Sequence, residues 1–309
     1  MPDKRTSSSG NMAQCNVDDA CESCHIQVMS DLHLETPRFL PMYTSFHISP
    51  KGTQLALLGD IGNVHDERLF AFLDEQLKQF RVVFYVLGNH EPYQPDSSPQ
   101  RFTHQDARII MERFEATNAT KRQAESDSSG TTSVGQFVFL NRRRFDISET
   151  LTVLGCTLFS SIAESQKSTV SLFVSDFSNI SDWTVDLHNA SHREDLAWLN
   201  YQVEAIARTE PHRSIAVLTH YSPTTLPEAN DPEHLEDSRG VQSAFVTDLS
   251  REVCWTCPSV KLWAFGHTHH NCDFIDSGTG KRVVANQRGY GREDDFDFDA
   301  EKVVTIDET

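Results

Sequence analysis

The stretch Val82-Val-Phe-Tyr-Val-Leu-Gly-Asn-His-Glu91 consists of six apolar residues followed by glycine and three polar side chains. An uninterrupted apolar run closed by glycine is typical of a strand that is buried on both faces. Such strands belong to α/β proteins, in which the carboxyl ends of neighbouring parallel strands meet at one crevice. Asn89, His90 and Glu91 are therefore predicted to lie at that crevice.

Four other apolar runs end in the same way. The run at 26–29 leads into Ser30-Asp31-Leu32-His33, the run at 55–58 into Gly59-Asp60, the run at 215–219 into His220, and the run at 262–265 into Gly266-His267-Thr268-His269. Carboxylate, amide and imidazole groups at five strand ends predict one shared metal site. The candidate ligands are Asp31, His33, Asp60, Asn89, His220, His267 and His269.

The types and spacing of these residues indicate which metals they suit. Residues two apart point the same way in extended backbone, so the pairs Asp31/His33 and His267/His269 are each predicted to turn both side chains inward. Oxygen and imidazole ligands without thiolate favour Mn, Fe, Zn or Co over Mg. Seven ligands suit two divalent or trivalent transition-metal ions, provided that one carboxylate bridges them. Two ions roughly 3.5–4 Å apart can clamp the attacking and leaving oxygens of phosphoryl transfer.

The rest of the pattern predicts a polar tail and one domain. Residues 1–24 are rich in Ser, Asp and Asn and are predicted to be disordered. Residues 25–309 are predicted to form a single domain, because no linker separates the motifs. Within it, the Ser- and Gly-rich stretch 119–135 predicts a flexible loop, and residues 141–213 form a candidate substrate cap.

Two helices inside this domain have clear signals in the sequence. Apolar residues spaced along 105–116 predict the inner face of one helix. Ser191 and Glu194 match a capping box, which predicts that a second helix begins there and continues through Leu196 and Leu199.

Composition limits the partners of this 309-residue chain. Its formal net charge is −18 and its pI is about 5.1, so most of its surface would repel a nucleic acid. No apolar run approaches the roughly 20 residues that a membrane helix needs, and no secretory signal is visible, which predicts a cytoplasmic protein without membrane contact. The pairs Cys21/Cys24 and Cys254/Cys257 could hold zinc, but ordinary reduced thiols are the favoured interpretation.

The order D-x-H, G-D, G-N-H-E, isolated H and G-H-x-H closely resembles the calcineurin-like metallophosphoesterase superfamily, over about 25–290. The resemblance implies a four-layer α/β/β/α sandwich, with two mixed sheets flanked by helices and an active site at the carboxyl ends of the strands. It also implies a division of ligands. One metal is assigned Asp31, His33 and His269, the other Asn89, His220 and His267, and Asp60 bridges the two.

The resemblance further implies the reaction. A hydroxide bridging the two metals would attack the phosphorus of a small phosphate monoester or diester, while His90 holds the phosphate and protonates the leaving oxygen. Glu91 is expected to be structural. Asp60 is followed by Ile61-Gly-Asn63, which differs from the V-D-R-G run of the protein phosphatases, and no tyrosine ligand of the purple acid phosphatase type is present. The alternative is a catalytically weak scaffold or protein-binding member of the same fold; the complete ligand set favours an enzyme. No pattern predicts the oligomeric state.

Three residues outside these motifs are weaker candidates for substrate contact. Asp176 and His192 lie in the candidate cap, although a helix or turn role is the favoured interpretation of both. Arg288 could bind a phosphate oxygen, because a guanidinium can donate two parallel hydrogen bonds. A plain surface arginine is the competing interpretation.

Overall fold

A computed structural model describes residues 24–93, 101–130, 132–232, 239–290 and 297–306. The tail predicted for residues 1–24 lies outside these described residues except for Cys24, which begins the first strand. Cys21, and with it one of the two cysteine pairs, is also outside them.

Five strands form the first sheet. In order across it they are β11 (Val303–Ile306), β1 (Cys24–Met29), β2 (Gln54–Leu58), β3 (Val82–Val86) and β4 (Gln136–Phe139). Strands β1 to β4 are parallel, and β11 closes one edge in the antiparallel direction. Every residue of β2 and β3 is buried, as their apolar runs predict.

Six strands form the second sheet. In order across it they are β5 (Arg143–Asp146), β6 (Leu151–Cys156), β7 (Ser214–Thr219), β8 (Val260–Phe265), β10 (Arg282–Ala285) and β9 (Cys272–Ile275). The four inner strands are parallel, whereas β5 and β9 are antiparallel to their neighbours. Both sheets are therefore mixed.

Six α-helices accompany the sheets in the described part of the chain. They are α1 (Glu67–Leu77), α2 (His104–Ser129), α3 (Lys167–Phe173), α4 (Asp176–Asn179), α5 (Val185–Thr209) and α6 (Val253–Thr256). None of these described helices combines the length and apolarity needed to cross a bilayer.

Alternation along the strands produces the layers. Leu55 and Leu57 of β2 belong to the core shared with α1 and α2, whereas Ala56 and Leu58 face the second sheet. The residues of β7 alternate in the same manner. One set packs against the first sheet and the other set packs against α5. Each fully buried leucine contributes about 2 kcal/mol, so this double-sided burial supplies much of the driving force for folding. The predicted four-layer α/β/β/α sandwich is confirmed.

Helix α2 is longer than predicted. It covers His104–Ser129 and does not end near Ala116, so the flexible loop predicted for 119–135 is wrong as far as Ser129. The side chain of Asn118 donates a hydrogen bond to the carbonyl of Gly135 and ties the middle of the helix to the start of β4. Strong helix formers follow Asn118, and their preference outweighs that of the later serines.

The start of α5 also differs from the prediction. The helix begins at Val185, where the hydroxyl of Thr184 accepts a hydrogen bond from the Leu187 amide at 3.2 Å. Ser191, predicted to cap the helix, therefore lies inside it. The turns before Ser191 are buried at His188, which is 1% exposed. This burial stabilises a helix start earlier than the one that the local capping motif predicts.

The candidate cap at 141–213 is narrower than predicted. Strands β5 and β6 belong to the second sheet, and α5 belongs to its outer helix layer. Within that range, α3 and α4 are the helices that come near the crevice at the strand ends, because Phe173 and Asp176 line a cavity there. These elements therefore belong to the sandwich, which leaves α3 and α4, between β6 and α5, as the candidate cap.

Candidate metal centre

Potential ligand atoms from both sheets converge where β1, β2, β3, β7 and β8 end. Three overlapping groups of side chains can be distinguished, and within each group the potential ligand atoms all lie within 4.8 Å of one another. They are Asp31 with His33 and His269, Asp60 with His220 and His267, and His33 with Asp60 and His90. The five strand ends are therefore brought together as predicted.

The first group has the contacts and the chemistry expected of a cation site. His269 Nε2 lies 3.2 Å from His33 Nε2 and 3.3 Å from Asp31 Oδ1. Asp31 Oδ1 is buried and has no hydrogen-bond partner among the described residues. An unpaired buried carboxylate oxygen is costly, and a cation held between Asp31 and the two imidazoles would remove that cost. The residues fit a metal ion.

The second group is built around Asp60 and Asn89. His220 Nε2 lies 3.1 Å from Asn89 Oδ1 and 3.5 Å from Asp60 Oδ2. Asp60 Oδ2 also lies 4.0 Å from His33 Nε2, an atom of the first group. One carboxylate oxygen thus faces both groups, which is the arrangement that a bridging ligand requires.

Neighbouring groups hold the ligands in orientations suited to a metal. His220 Nδ1 lies 2.8 Å from the carbonyl oxygen of Leu58, so this nitrogen donates and Nε2 is the ring nitrogen that faces the centre. His33 Nδ1 makes the same kind of contact with Glu35 Oε1 at 3.0 Å. Partners of this type fix the tautomer and ring direction of metal-binding histidines.

The backbone at the centre is left-handed at five of the predicted ligands. Their φ angles are 51° at Asp31, 44° at His33, 54° at Asp60, 72° at His267 and 52° at His269. Residues other than glycine rarely adopt this region, which costs about 1–3 kcal/mol at each position. The extended backbone predicted for the two D/H-x-H pairs is therefore wrong. The side chains converge because the chain turns sharply as each strand ends.

Two glycines allow the backbone to approach the ligands. A Cβ atom at Gly88 would overlap Asp60 Oδ1. A Cβ atom at Gly266 would overlap Ser30 Oγ and lie 2.5 Å from Asp31 Oδ2. A side chain at either position would displace a carboxylate, so both positions require glycine.

We expect Gly266→Ala to lower the free energy of unfolding by about 1–3 kcal/mol and to weaken metal binding, because the methyl group forces Asp31 away. Denaturant unfolding and metal analysis of the purified variant would measure both effects. Gly278→Ala is the matched control, since its Cβ would lie 3.6 Å from the nearest atom, Asp276 Oδ2. Equal metal content in the Gly266 variant and the wild type would contradict the expectation.

The charges of the buried groups are mutually dependent. Burial acts to raise the pKa of Asp60, but the positive charge of His220 and its neighbours holds that pKa well below its usual range. Burial acts to lower the pKa of His220 and of His33, whereas Asp60 raises the former to about 10 and Glu35 raises the latter to about 9. Protons on the imidazoles thus balance the carboxylates, and metal binding would displace them.

His90 lies beside the centre, and it lines a cavity. Its Nε2 lies 4.0 Å from Asp60 Oδ2, and its backbone amide donates to Asp60 Oδ1 at 2.8 Å. The ring of Tyr93 stacks on it at 4.1 Å, and the hydroxyl of Tyr290 lies 3.4 Å from Nε2. The cavity in front of His90 measures about 230 Å³ and also contacts Asp60 and Asn89.

Asp176, a weak candidate in the sequence, is part of this site. Its carboxylate is 2% exposed and accepts a hydrogen bond from Asn89 Nδ2 at 2.8 Å. It accepts further hydrogen bonds from the hydroxyls of Tyr93 and Tyr221. The bond to Asn89 turns the amide oxygen of that residue towards His220.

The other secondary candidates lie elsewhere. The Arg288 guanidinium donates to the carbonyl of Leu32 at 2.7 Å and lies 5.7 Å from the ring of Phe46, which supports a structural role. His192 is buried in α5 against the carbonyl of Phe159. The carboxylate of Glu91 accepts hydrogen bonds from the backbone amides of Ile61 and Gly88 and from a tyrosine hydroxyl, as expected of a structural partner.

Sequence reasoning did not identify the aromatic and acidic residues that surround the ligands. These are Glu35, Tyr93, Tyr221 and Tyr290. Three of them had a local signal, because Glu35 is two residues from His33, Tyr93 is three residues from His90 and Tyr221 directly follows His220. Tyr290 has no such neighbour in sequence, and only the fold brings it to His33.

Comparisons with known proteins agree with this geometry. Residues 25–271 match the family model described as calcineurin-like phosphoesterase. The uncharacterized protein L509 of Acanthamoeba polyphaga mimivirus is 25% identical over 291 residues, which cover 87% of this chain and 92% of the viral protein. The crystal structure of phosphopantetheinyl hydrolase (PptH) from Mycobacterium tuberculosis is similar in fold, with a TM-score of 0.64 and 15% identity over 93% of this chain and 97% of that one.

Proposed function

The chain belongs to the calcineurin-like phosphoesterase family, and from that premise we propose that it is a dinuclear metal-dependent hydrolase of phosphate monoesters or diesters. The observation that carries this proposal is Asp60 Oδ2, which faces His220 at 3.5 Å and His33 at 4.0 Å, so that it joins two groups of ligands. Mn, Fe, Zn and Co are the ions that suit the donors.

We assign the ligands by their grouping. Asp31, His33 and His269 would hold one ion, and Asn89, His220 and His267 the other, with Asp60 shared between them. When bound, two such ions supply an activated water molecule and positive charge for the phosphoryl group. Asn89 lines the cavity and can also donate to a phosphate oxygen.

His90 is assigned the proton transfer. Hydrolysis forms a bond between phosphorus and the oxygen of water, breaks the bond between phosphorus and the leaving oxygen, and ends with a proton on that leaving oxygen. His90 is the histidine of the cavity that belongs to neither main ligand group, and the stacked ring of Tyr93 holds its imidazole beside Asp60. An imidazole so placed can donate the proton as the leaving oxygen departs.

Metal content and turnover test the proposal directly. The purified protein, stripped with chelator and reloaded with Mn, Fe, Zn or Co, is assayed with p-nitrophenyl phosphate and bis(p-nitrophenyl) phosphate. We expect about two ions per chain and turnover that depends on them. Two bound ions without turnover of either ester would favour the scaffold alternative, and turnover in fully chelated protein would exclude the metal mechanism.

We further propose that Asp176 positions Asn89 and, through Tyr93, His90. We expect Asp176→Ala to weaken binding of the second ion by about 10–100-fold, since loss of an outer partner frees the Asn89 amide to rotate. Titration of the metal-free protein by calorimetry would measure this affinity. Asp186→Ala is the control, because that side chain is 86% exposed on α5 and forms only a surface ion pair with Lys167. Unchanged affinity for both ions in Asp176→Ala would refute the positioning role.

A further inference from the structure

Aromatic rings form the walls of the cavity beside the candidate metal centre. Tyr290 stacks on the ring of His33, with centroids 4.3 Å apart and planes at 25°. Phe245 stacks on His267 at 5.3 Å and 21°. Both rings also line the cavity that contains Asp60 and His90. Anything bound through phosphate at the metal ligands would therefore have its remaining atoms against aromatic faces.

The end of α3 adds an apolar surface at the mouth of this cavity. Phe173 lines it and is 70% exposed, and the preceding residue, Leu172, is 79% exposed. Two adjacent large apolar side chains held out of the core at a cavity are a feature of ligand-binding surfaces. Val174 continues the same wall towards Asp176.

The charge of the cavity restricts what can accompany the phosphate. Among the described residues that line it, none is lysine or arginine, whereas Asp60 and Asp176 are acidic. The whole chain carries a formal net charge of −18. A second phosphate or a carboxylate on the substrate would find no lysine or arginine partner among these described residues. The missing cation and the aromatic and apolar walls together favour an uncharged group beyond the scissile phosphate.

From these observations we propose that the substrate is a phosphate ester whose leaving group is an uncharged aromatic alcohol, with its ring against Phe173, Phe245 and Tyr290. This inference rests on the proposed phosphoesterase function and names its substrate class. The volume of about 230 Å³ is enough for a phosphoryl group and one ring system.

Three esters of similar leaving-oxygen chemistry test the proposal with the metal-loaded full-length protein. They are ethyl phosphate, 2-phenylethyl phosphate and 2-(4-carboxyphenyl)ethyl phosphate. We expect kcat/KM for the phenylethyl ester to exceed that for the ethyl ester by roughly tenfold or more, because binding transfers the apolar surface of the phenyl ring from water into the cavity. The carboxylate should remove most of this gain. Equal values for the ethyl and phenylethyl esters would overturn the proposal.

Variants of Phe173 test whether the cavity wall produces the preference for the phenylethyl ester. Phe173→Ala should lower kcat/KM by a larger factor for the phenylethyl ester than for the ethyl ester, and Phe173→Leu should retain part of the preference. Ile275→Ala is the matched control, since Ile275 is an apolar residue that is 61% exposed on β9. An aromatic preference that survives intact in Phe173→Ala would overturn the assignment of the ring to this wall.

Binding of non-hydrolysable phosphonates separates this inference from the proposed function. Calorimetry compares 3-phenylpropylphosphonate with propylphosphonate on the metal-loaded protein. Tighter binding of the phenyl compound without turnover of any ester would support the aromatic site and refute the hydrolase. Turnover of the esters combined with equal phosphonate affinities would refute the aromatic site and leave the hydrolase standing.

Discussion

Replacing Asp60 by asparagine is expected to lower turnover by at least about 10³-fold and to reduce the metal content of the protein. Asp60 Oδ2 is the atom that both ligand groups share, and Oδ1 is occupied by the backbone amide of His90 at 2.8 Å. Asparagine has nearly the same shape, so the fold should persist. Its neutral amide provides one oxygen, and that oxygen cannot accept from His90 and bridge two cations simultaneously.

The measurement combines elemental analysis with kcat for p-nitrophenyl phosphate. Asp74→Asn serves as the control for removing one carboxylate, because Asp74 is 40% exposed on α1 and pairs with Lys121 at the surface. That substitution should change stability by less than about 1 kcal/mol and leave activity intact. An Asp60→Asn protein with wild-type metal content and turnover would end the case for a dinuclear hydrolase.

The convergence of the candidate ligands was predictable because their signal is local. Each strand end joins an apolar run to glycine or a polar side chain within a few residues, and the parallel strands of the two sheets then place those ends at one edge of the sandwich. The local conformation was not predictable in the same way. His33 and His269 adopt positive φ because packing around the centre imposes it, and no intrinsic preference of histidine indicates this.

Residues that act on the ligands from a distance in sequence needed the fold. Asp176 follows Asn89 by 87 positions and reaches it only because α4 packs over the end of β3. In the sequence it is one aspartate in a Ser-rich stretch, with the same appearance as a turn residue. In helix α2 the error was of another kind, because the helix formers that follow Asn118 are visible in the sequence and were outweighed in the prediction by the later serines and glycines.

Replacing His90 by alanine is expected to leave the metal content unchanged and to lower kcat by about 10²–10⁴-fold, the usual contribution of a general acid. The defect should depend on the leaving group. An alkyl phosphate needs a proton on its departing oxygen, whereas p-nitrophenolate departs readily without one. We therefore expect the loss in kcat to be much larger for 2-phenylethyl phosphate than for p-nitrophenyl phosphate.

This dependence on the leaving group distinguishes a role of His90 as general acid from a role as metal ligand. His90 lies within 4.8 Å of His33 and Asp60, close enough to contact an ion. A ligand role would lower metal occupancy in His90→Ala and slow both esters equally, whereas an acid role spares the metal and the good leaving group. His47→Ala, at an exposed histidine outside the centre, should change neither quantity. Equal losses in kcat for the two esters at full metal occupancy would show that His90 does not donate the proton. Phosphate binding would then be its only role.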